Sequence, residues 1–191
     1  MGGDQVDEGD RMTLLVLGLL LWSGAHLLKR VAPDARARMG DAGKGLVALL
    51  LVVSIVAMVV GYRSAEFVPV YDPPPFLTHV NNLLMVVAFY LFGVGAAKGT
   101  TAGWLRHPQL TAVKTWATAH LLVNGDMASI LLFGGLGAWA VVEVIVINRS
   151  QPWDRPAGVS IRGDVKALGI GLVLLVAAAA VHLWLGVNPF R

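Results

Sequence analysis

The chain has 191 residues, of which 56% are hydrophobic and only 14% charged, and its mean hydropathy is +0.68. Soluble domains carry about a quarter charged residues, so this composition excludes a water-soluble domain, a disordered chain, a coiled coil and a nucleic-acid-binding module. With no cysteine, disulfides, thiolate metal sites, covalent c-type haem attachment and a Cys nucleophile are excluded too. The net charge of +3 says less than the placement of the charges.

In chain order, residues 1–11 form an acidic tail with Asp4, Asp7, Glu8 and Asp10. A secretory leader starts basic, so this is not one, and Lys29-Arg30 follow the first apolar run as a stop signal. A bilayer core of about 30 Å needs roughly 20 apolar residues in a helix. Apolar stretches fall at 12–28, 45–62, 76–97, 109–123, 127–147 and 167–187. Tyr71-Asp72-Pro73-Pro74-Pro75, before the third, is too proline-rich for helix and reads as a loop. The fourth stretch holds Lys114 and several Thr, and its length rises only about 22 Å. Asn124-Gly125-Asp126 is a turn that splits it from the fifth. Gly43-Lys44-Gly45 lacks the Ser or Thr that a phosphate-binding loop places after its Lys.

The expected fold is therefore all-α: one membrane domain over 1–191, a polytopic transmembrane helix bundle of six spans. The alternative is five spans, with 109–123 re-entrant or interfacial. Basic residues bear on the choice. Lys29, Arg30, Arg36, Arg38 and Lys44, then Lys98 and Arg106, then Arg149, Arg155, Arg162 and Lys166 make eleven of the 15 Lys and Arg. Six crossings put all eleven on one side, and by the positive-inside rule that side is cytoplasmic. Both termini are then expected outside, in the periplasm for a bacterial inner membrane. The partner implied is the lipid bilayer, with an apolar small molecule arriving from it. No nucleic acid is implied, and no protein partner is indicated.

Ionisable groups within spans are costly in lipid and mark candidate sites. All five His lie in or beside the apolar stretches: His26, His79, His107, His120 and His182. A buried neutral imidazole either hydrogen-bonds a neighbouring helix or ligates a metal, haem iron included. Trp22 precedes His26 by four residues and Trp116 precedes His120 by four, so each pair shares a helix face. A flat aromatic beside an imidazole suits a planar macrocycle. Val113, Trp116, His120 and Asn124 fall on one side of the fourth stretch, with Thr111, Lys114, Thr115 and Thr118 on the other. His182, beside Trp184, reads as an interfacial anchor. Glu143 is expected to snorkel or to pair with Arg106 or Arg149, and Asn81 and Asn82 to bond between helices.

Arg106-His107-Pro108-Gln109-Leu110, followed by Lys114-x-Trp116, His120-Leu121-Leu122 and Asn124-Gly125-Asp126, resembles the NnrU family of membrane proteins. The apolar helix closing on His26 before Lys29-Arg30, and the Tyr71-to-His79 segment, agree with it, so the resemblance covers about residues 12–150. It implies either a role supporting nitrite and nitric oxide reduction in denitrification, or an activity like that of the related 15-cis-ζ-carotene isomerase. That isomerase uses b-type haem held by two His, which correspond to His26 and His120. The resemblance thus implies haem b as cofactor, with those two His on the iron. Trp22 and Trp116 would line the macrocycle, Asn124 would orient His120, and Arg106 and His107 would complete the binding motif. By depth in the bilayer, His79 matches His120 better than His26 does, and is the substitute ligand. The isomerase carries a Cys three residues before its second His, where this chain has Ala117. Arg106-His107-Pro108 is also similar to a motif of isoprenylcysteine-type membrane methyltransferases, which gives an S-adenosylmethionine-dependent methyltransferase as the alternative. No residue is singled out as catalytic.

Overall fold

The computed structural model describes residues 8–190, with side chains from residue 11. The acidic tail expected over 1–11 falls largely outside the described residues. The helices are α1 Glu8–Val31, α2 Pro33–Arg38, α3 Ala42–Ser64, α4 Leu77–Ala96, α5 Thr100–Trp104, α6 Pro108–Leu121, α7 Met127–Ser129, α8 Gly135–Ser150 and α9 Ile161–Trp184. A single π-helical turn, Ile130–Gly134, joins α7 to α8. Among the described residues there is no strand, only isolated bridges between Pro69 and Asp126 and between Gly99 and Ser160. The expected all-α membrane fold is what forms.

Five segments are long and apolar enough to cross a membrane: Arg11–Val31, Ala42–Ser64, Leu77–Ala96, Met127–Ser150 and Ile161–Trp184. α6 has 14 residues and rises about 21 Å, less than the hydrocarbon thickness. Five of the six expected spans are thus long enough to cross, and the sixth, α6, falls short of the hydrocarbon thickness. Its shortness has a local cause. Pro108 sits at the first helical position, where a missing N–H is harmless, and the chain leaves the helix at Leu121 for the Asn-Gly-Asp turn. The last helix begins six residues before its apolar stretch, because the Ser160 hydroxyl caps it by accepting from the Gly163 N–H at 3.4 Å.

The described chain divides into two compact units, one of residues 1–72 and 125–139, the other of residues 73–124 and 140–191. In the first, α1 packs on α3 through two glycines. A Cβ on Gly18 would lie 2.9 Å from the Met58 nitrogen, and one on Gly61 would lie 2.6 Å from the Leu15 nitrogen. Leu15, Met58 and Ala128 form the core there, with Trp22, Tyr62, Leu131 and Leu136 against it. The Met127 N–H donates to the Val68 carbonyl and the Val70 N–H to the Gly125 carbonyl, so the proline-rich loop's start is laced to the Asn-Gly-Asp turn.

In the second unit, α4 carries α6 on one flank and α9 on another, and both run antiparallel to it. Gln109 at the start of α6 meets Gly95 near the end of α4; early in α9, Ala167 meets Gly93. Gly163, Ala167 and Gly171, four residues apart, form the buried stripe of α9. Without a water-driven hydrophobic term inside lipid, such small-residue stripes let backbones approach and pack by dispersion.

Candidate functional site

Each unit carries one tryptophan–histidine pair. In the first, Trp22 and His26 lie one turn apart on α1, and the His26 Nδ1 is 3.0 Å from the Trp22 carbonyl oxygen. In the second, Trp116 and His120 repeat this on α6, with His120 Nδ1 at 2.9 Å from the Trp116 carbonyl. A carbonyl can only accept, so Nδ1 carries the hydrogen in both and Nε2 is the nitrogen with the lone pair in the neutral ring. A metal-binding imidazole is held in the same way, its second ring nitrogen donating to a carbonyl or carboxylate that fixes tautomer and orientation. Each indole is in tilted contact with its imidazole, the ring centroids 4.2 Å apart for Trp22 and His26 and 5.1 Å for Trp116 and His120, with planes at 44° and 51°.

His26 has a further neighbour that sequence spacing could not supply. Trp139, from α8, meets the His26 ring edge-on at 4.7 Å and the Trp22 ring at 5.4 Å. Trp139 is 7% exposed, whereas Trp22 and His26 are half-buried. The π-helical turn and the glycine pair Gly134-Gly135 precede Trp139 on its helix, and Gly135 packs directly on Leu19 of α1. A π-turn resets which residues face a neighbouring helix, and such turns recur at functional sites.

The remaining predicted residues distribute unevenly. The Asn124 side-chain amide donates to the His120 main-chain carbonyl at 2.9 Å, so this bond secures the end of α6. His79 is exposed in the first turn of α4. Because α6 runs back along α4, His79 and His120 belong to the same end of their unit, as the depth reading expects. Arg106 donates through Nη2 to the Gln151 carbonyl at 2.6 Å and the Pro152 carbonyl at 3.2 Å, and His107 Nε2 bonds Asn148 Oδ1 at 2.8 Å. The Arg-His-Pro motif therefore ties the start of α6 to the end of α8 and the loop beyond it. His182 repeats the Nδ1 anchor, on the Ala178 carbonyl at 2.8 Å, without a tryptophan one turn before it. Among the described residues no three His, Asp or Glu gather as a metal cluster, so any metal here would rest on fewer ligands.

Two expectations are corrected. Glu143 neither snorkels nor pairs with Arg106 or Arg149: it is 8% exposed and its Oε2 has no partner among the described residues. Its place mid-way along α8 keeps it from either arginine, and Arg106 is engaged by main-chain carbonyls instead. Asn81 bonds its neighbour Asn82 at 3.1 Å within α4, and its buried Oδ1 is unpartnered among the described residues.

A buried polar chain that the sequence did not announce links α3 to α7 in the first unit. Asp126 accepts from the Ser129 N–H at 2.9 Å and the Ser129 hydroxyl at 2.5 Å, and Tyr62 OH lies 3.0 Å from the same Ser129 oxygen. Since the carboxylate takes the serine's hydrogen, Tyr62 donates to Ser129 in turn.

A family model described as NnrU protein matches residues 14–189. This extends beyond the motif-bearing region to take in the last helix. A comparison with the curated proteins and with the solved structures returns no match. Matching nearly the whole chain, the family model assigns it: the protein belongs to the NnrU family.

Proposed function

We propose that this chain is a membrane protein that binds b-type haem, with His26 and His120 as the imidazoles that hold the iron. The observation that carries this reading is the doubled device itself. Two helices each present an imidazole whose Nδ1 is anchored to a tryptophan carbonyl one turn earlier and whose ring is in contact with that indole. The residues fit the group: neutral imidazoles with a fixed tautomer and flat aromatic walls suit a planar, largely apolar macrocycle. When bound, the iron would supply one-electron or Lewis-acid chemistry. The chain's own residues orient the ligands, wall off water and admit apolar molecules from the bilayer.

Two uses of such a centre follow from the family. One supports nitrite and nitric oxide reduction without catalysis by this chain; the other isomerises a double bond of a long polyene such as 15-cis-ζ-carotene. Ala117, buried in α6, stands where the isomerase has its Cys, and this favours the first use because no thiol is present to exchange onto the iron.

Detergent-purified protein is expected to show a Soret band and a b-type pyridine haemochrome. His26→Ala and His120→Ala should each shift or abolish that band, while His79→Ala should leave it unchanged. Loss of the band in His79→Ala alone would transfer the ligand role to His79. A colourless protein that still binds S-adenosylmethionine would favour the methyltransferase. Expression in cells that accumulate 15-cis-ζ-carotene separates the two uses: an unchanged pigment profile removes the isomerase.

A further inference from the structure

The indole N–H groups of Trp22 and Trp139 are both shielded from solvent and have no acceptor among the described residues. A buried donor left unpaired costs about 1–3 kcal/mol, and native structures contain few of them. Here two occur within one cluster of three rings, each in contact with the other two, the indole centroids being 5.4 Å apart. The imidazole's Nδ1 is committed to the Trp22 carbonyl, and neither indole N–H bonds the remaining ring nitrogen, Nε2, so both donors stay unpaired within the cluster. Trp22 and His26 are half-buried, which leaves the cluster approachable from one side.

We propose that the Trp22–His26–Trp139 cluster receives a carboxylate group, the two indole N–H groups donating to its oxygens. A carboxylate is the group that two neighbouring neutral donors suit best. It has two oxygens with about four lone-pair sites, and hydrogen bonds to an ionised acceptor are roughly twice as strong as neutral ones. The C-terminal end of α1 disfavours an anion through its helix dipole, and Lys29 and Arg30 in the last turn oppose that field. The carboxylate has two sources with the same chemistry. One is the pair of propionate side chains of a bound porphyrin, in which case the inference rests on the haem reading above. The other is the head of a free, membrane-soluble carboxylic acid.

The test uses the full chain in detergent with ¹⁵N-labelled indoles, whose six side-chain signals are assigned through Trp22→Phe and Trp139→Phe. The probes are haem, haem dimethyl ester, octanoate and octanol. The expected result is a downfield move of the Trp22 and Trp139 N–H signals with octanoate and none with octanol, and with haem a downfield move beyond the one that the dimethyl ester's macrocycle itself produces. Movement with haem alone assigns the propionates; movement with octanoate alone assigns a free acid and counts against the haem reading. A Soret band with both indole signals moved alike by haem and by its dimethyl ester overturns the inference while the haem reading stands. No movement with any probe overturns it outright. The double variant W22F/W139F should weaken the active carboxylate probe by about tenfold or more and its ester or alcohol counterpart clearly less, and equal weakening of the two overturns the inference. Undisturbed signals of the other four indoles serve as the check that the variant is folded.

Discussion

At the scale of single residues, the histidines show how position decides chemistry. His26, His120 and His182 all spend Nδ1 on the carbonyl four residues earlier, a bond available to any histidine late in a helix. What separates the first two is the tryptophan that owns that carbonyl, a spacing visible in the sequence. Asp126 illustrates the opposite case. The sequence marks it only as part of a turn, yet it is 9% exposed and its two oxygens hold both the main chain and the side chain of Ser129 at the start of α7. Asp126→Ala should lower thermal stability in detergent by about 1–2 kcal/mol, as loss of a helix cap does. Asp126→Asn keeps an acceptor for the Ser129 N–H and should lose less than half of that. Equal damage from both would place the stabilisation in the second carboxylate oxygen, which takes the Ser129 hydroxyl and through it Tyr62.

At the scale of elements, the decisive feature of α9 is a stripe of small residues. A Cβ on Gly171 would lie 2.7 Å from the Phe89 carbonyl oxygen and 3.0 Å from the Tyr90 Cα, both main-chain atoms of α4 that cannot rotate away. Gly171→Val should therefore destabilise the second unit by about 1–3 kcal/mol through overpacking. Gly169 faces open space on the same helix, and Gly169→Ala should be neutral or slightly stabilising, since alanine is the better helix former. Denaturant titration in micelles would read both, and an equal loss from the two variants would refute the close crossing. The helices themselves were legible because each is an apolar run long enough to declare itself, and the weak fourth run proved to be the short one. The ends were less so: Arg162, Asp164 and Lys166 hid the first turns of α9, where Asp164 accepts from the Thr100 N–H at 2.8 Å and the Thr101 N–H at 3.1 Å. Contacts between distant segments, such as Trp139 on His26 or Tyr62 on Ser129, leave no periodic trace in a single chain. That is why Trp22 and His26 were readable as a pair and their far partner Trp139 was not.

At the scale of the whole molecule, the charge arrangement and the short α6 together make a topological prediction. In the second unit, the segment after α4 and the segment before α9 are joined directly: the Ser160 N–H donates to the Lys98 carbonyl at 3.1 Å, and Arg106 reaches the Gln151 carbonyl. Two of the three basic segments are therefore at one end of that unit by hydrogen bonding, independently of any rule about charge. α6 starts at that end and returns along α4, so the chain goes back toward the opposite end although α6 is shorter than the bilayer core. A return of this kind preserves the parity of six passes. It predicts that the basic segments share the cytoplasmic side and that the two termini share the other. The chain has no cysteine, so single-cysteine variants report sidedness without background. Ala35→Cys in α2 and Ala157→Cys in the loop before α9 should react with a membrane-impermeant maleimide only after the cytoplasmic side is opened. Asp72→Cys in the proline-rich loop and Asn188→Cys beyond α9 should react in intact spheroplasts. If Asn188→Cys is protected while Asp72→Cys is labelled, the chain makes an odd number of passes and α6 does not carry it across.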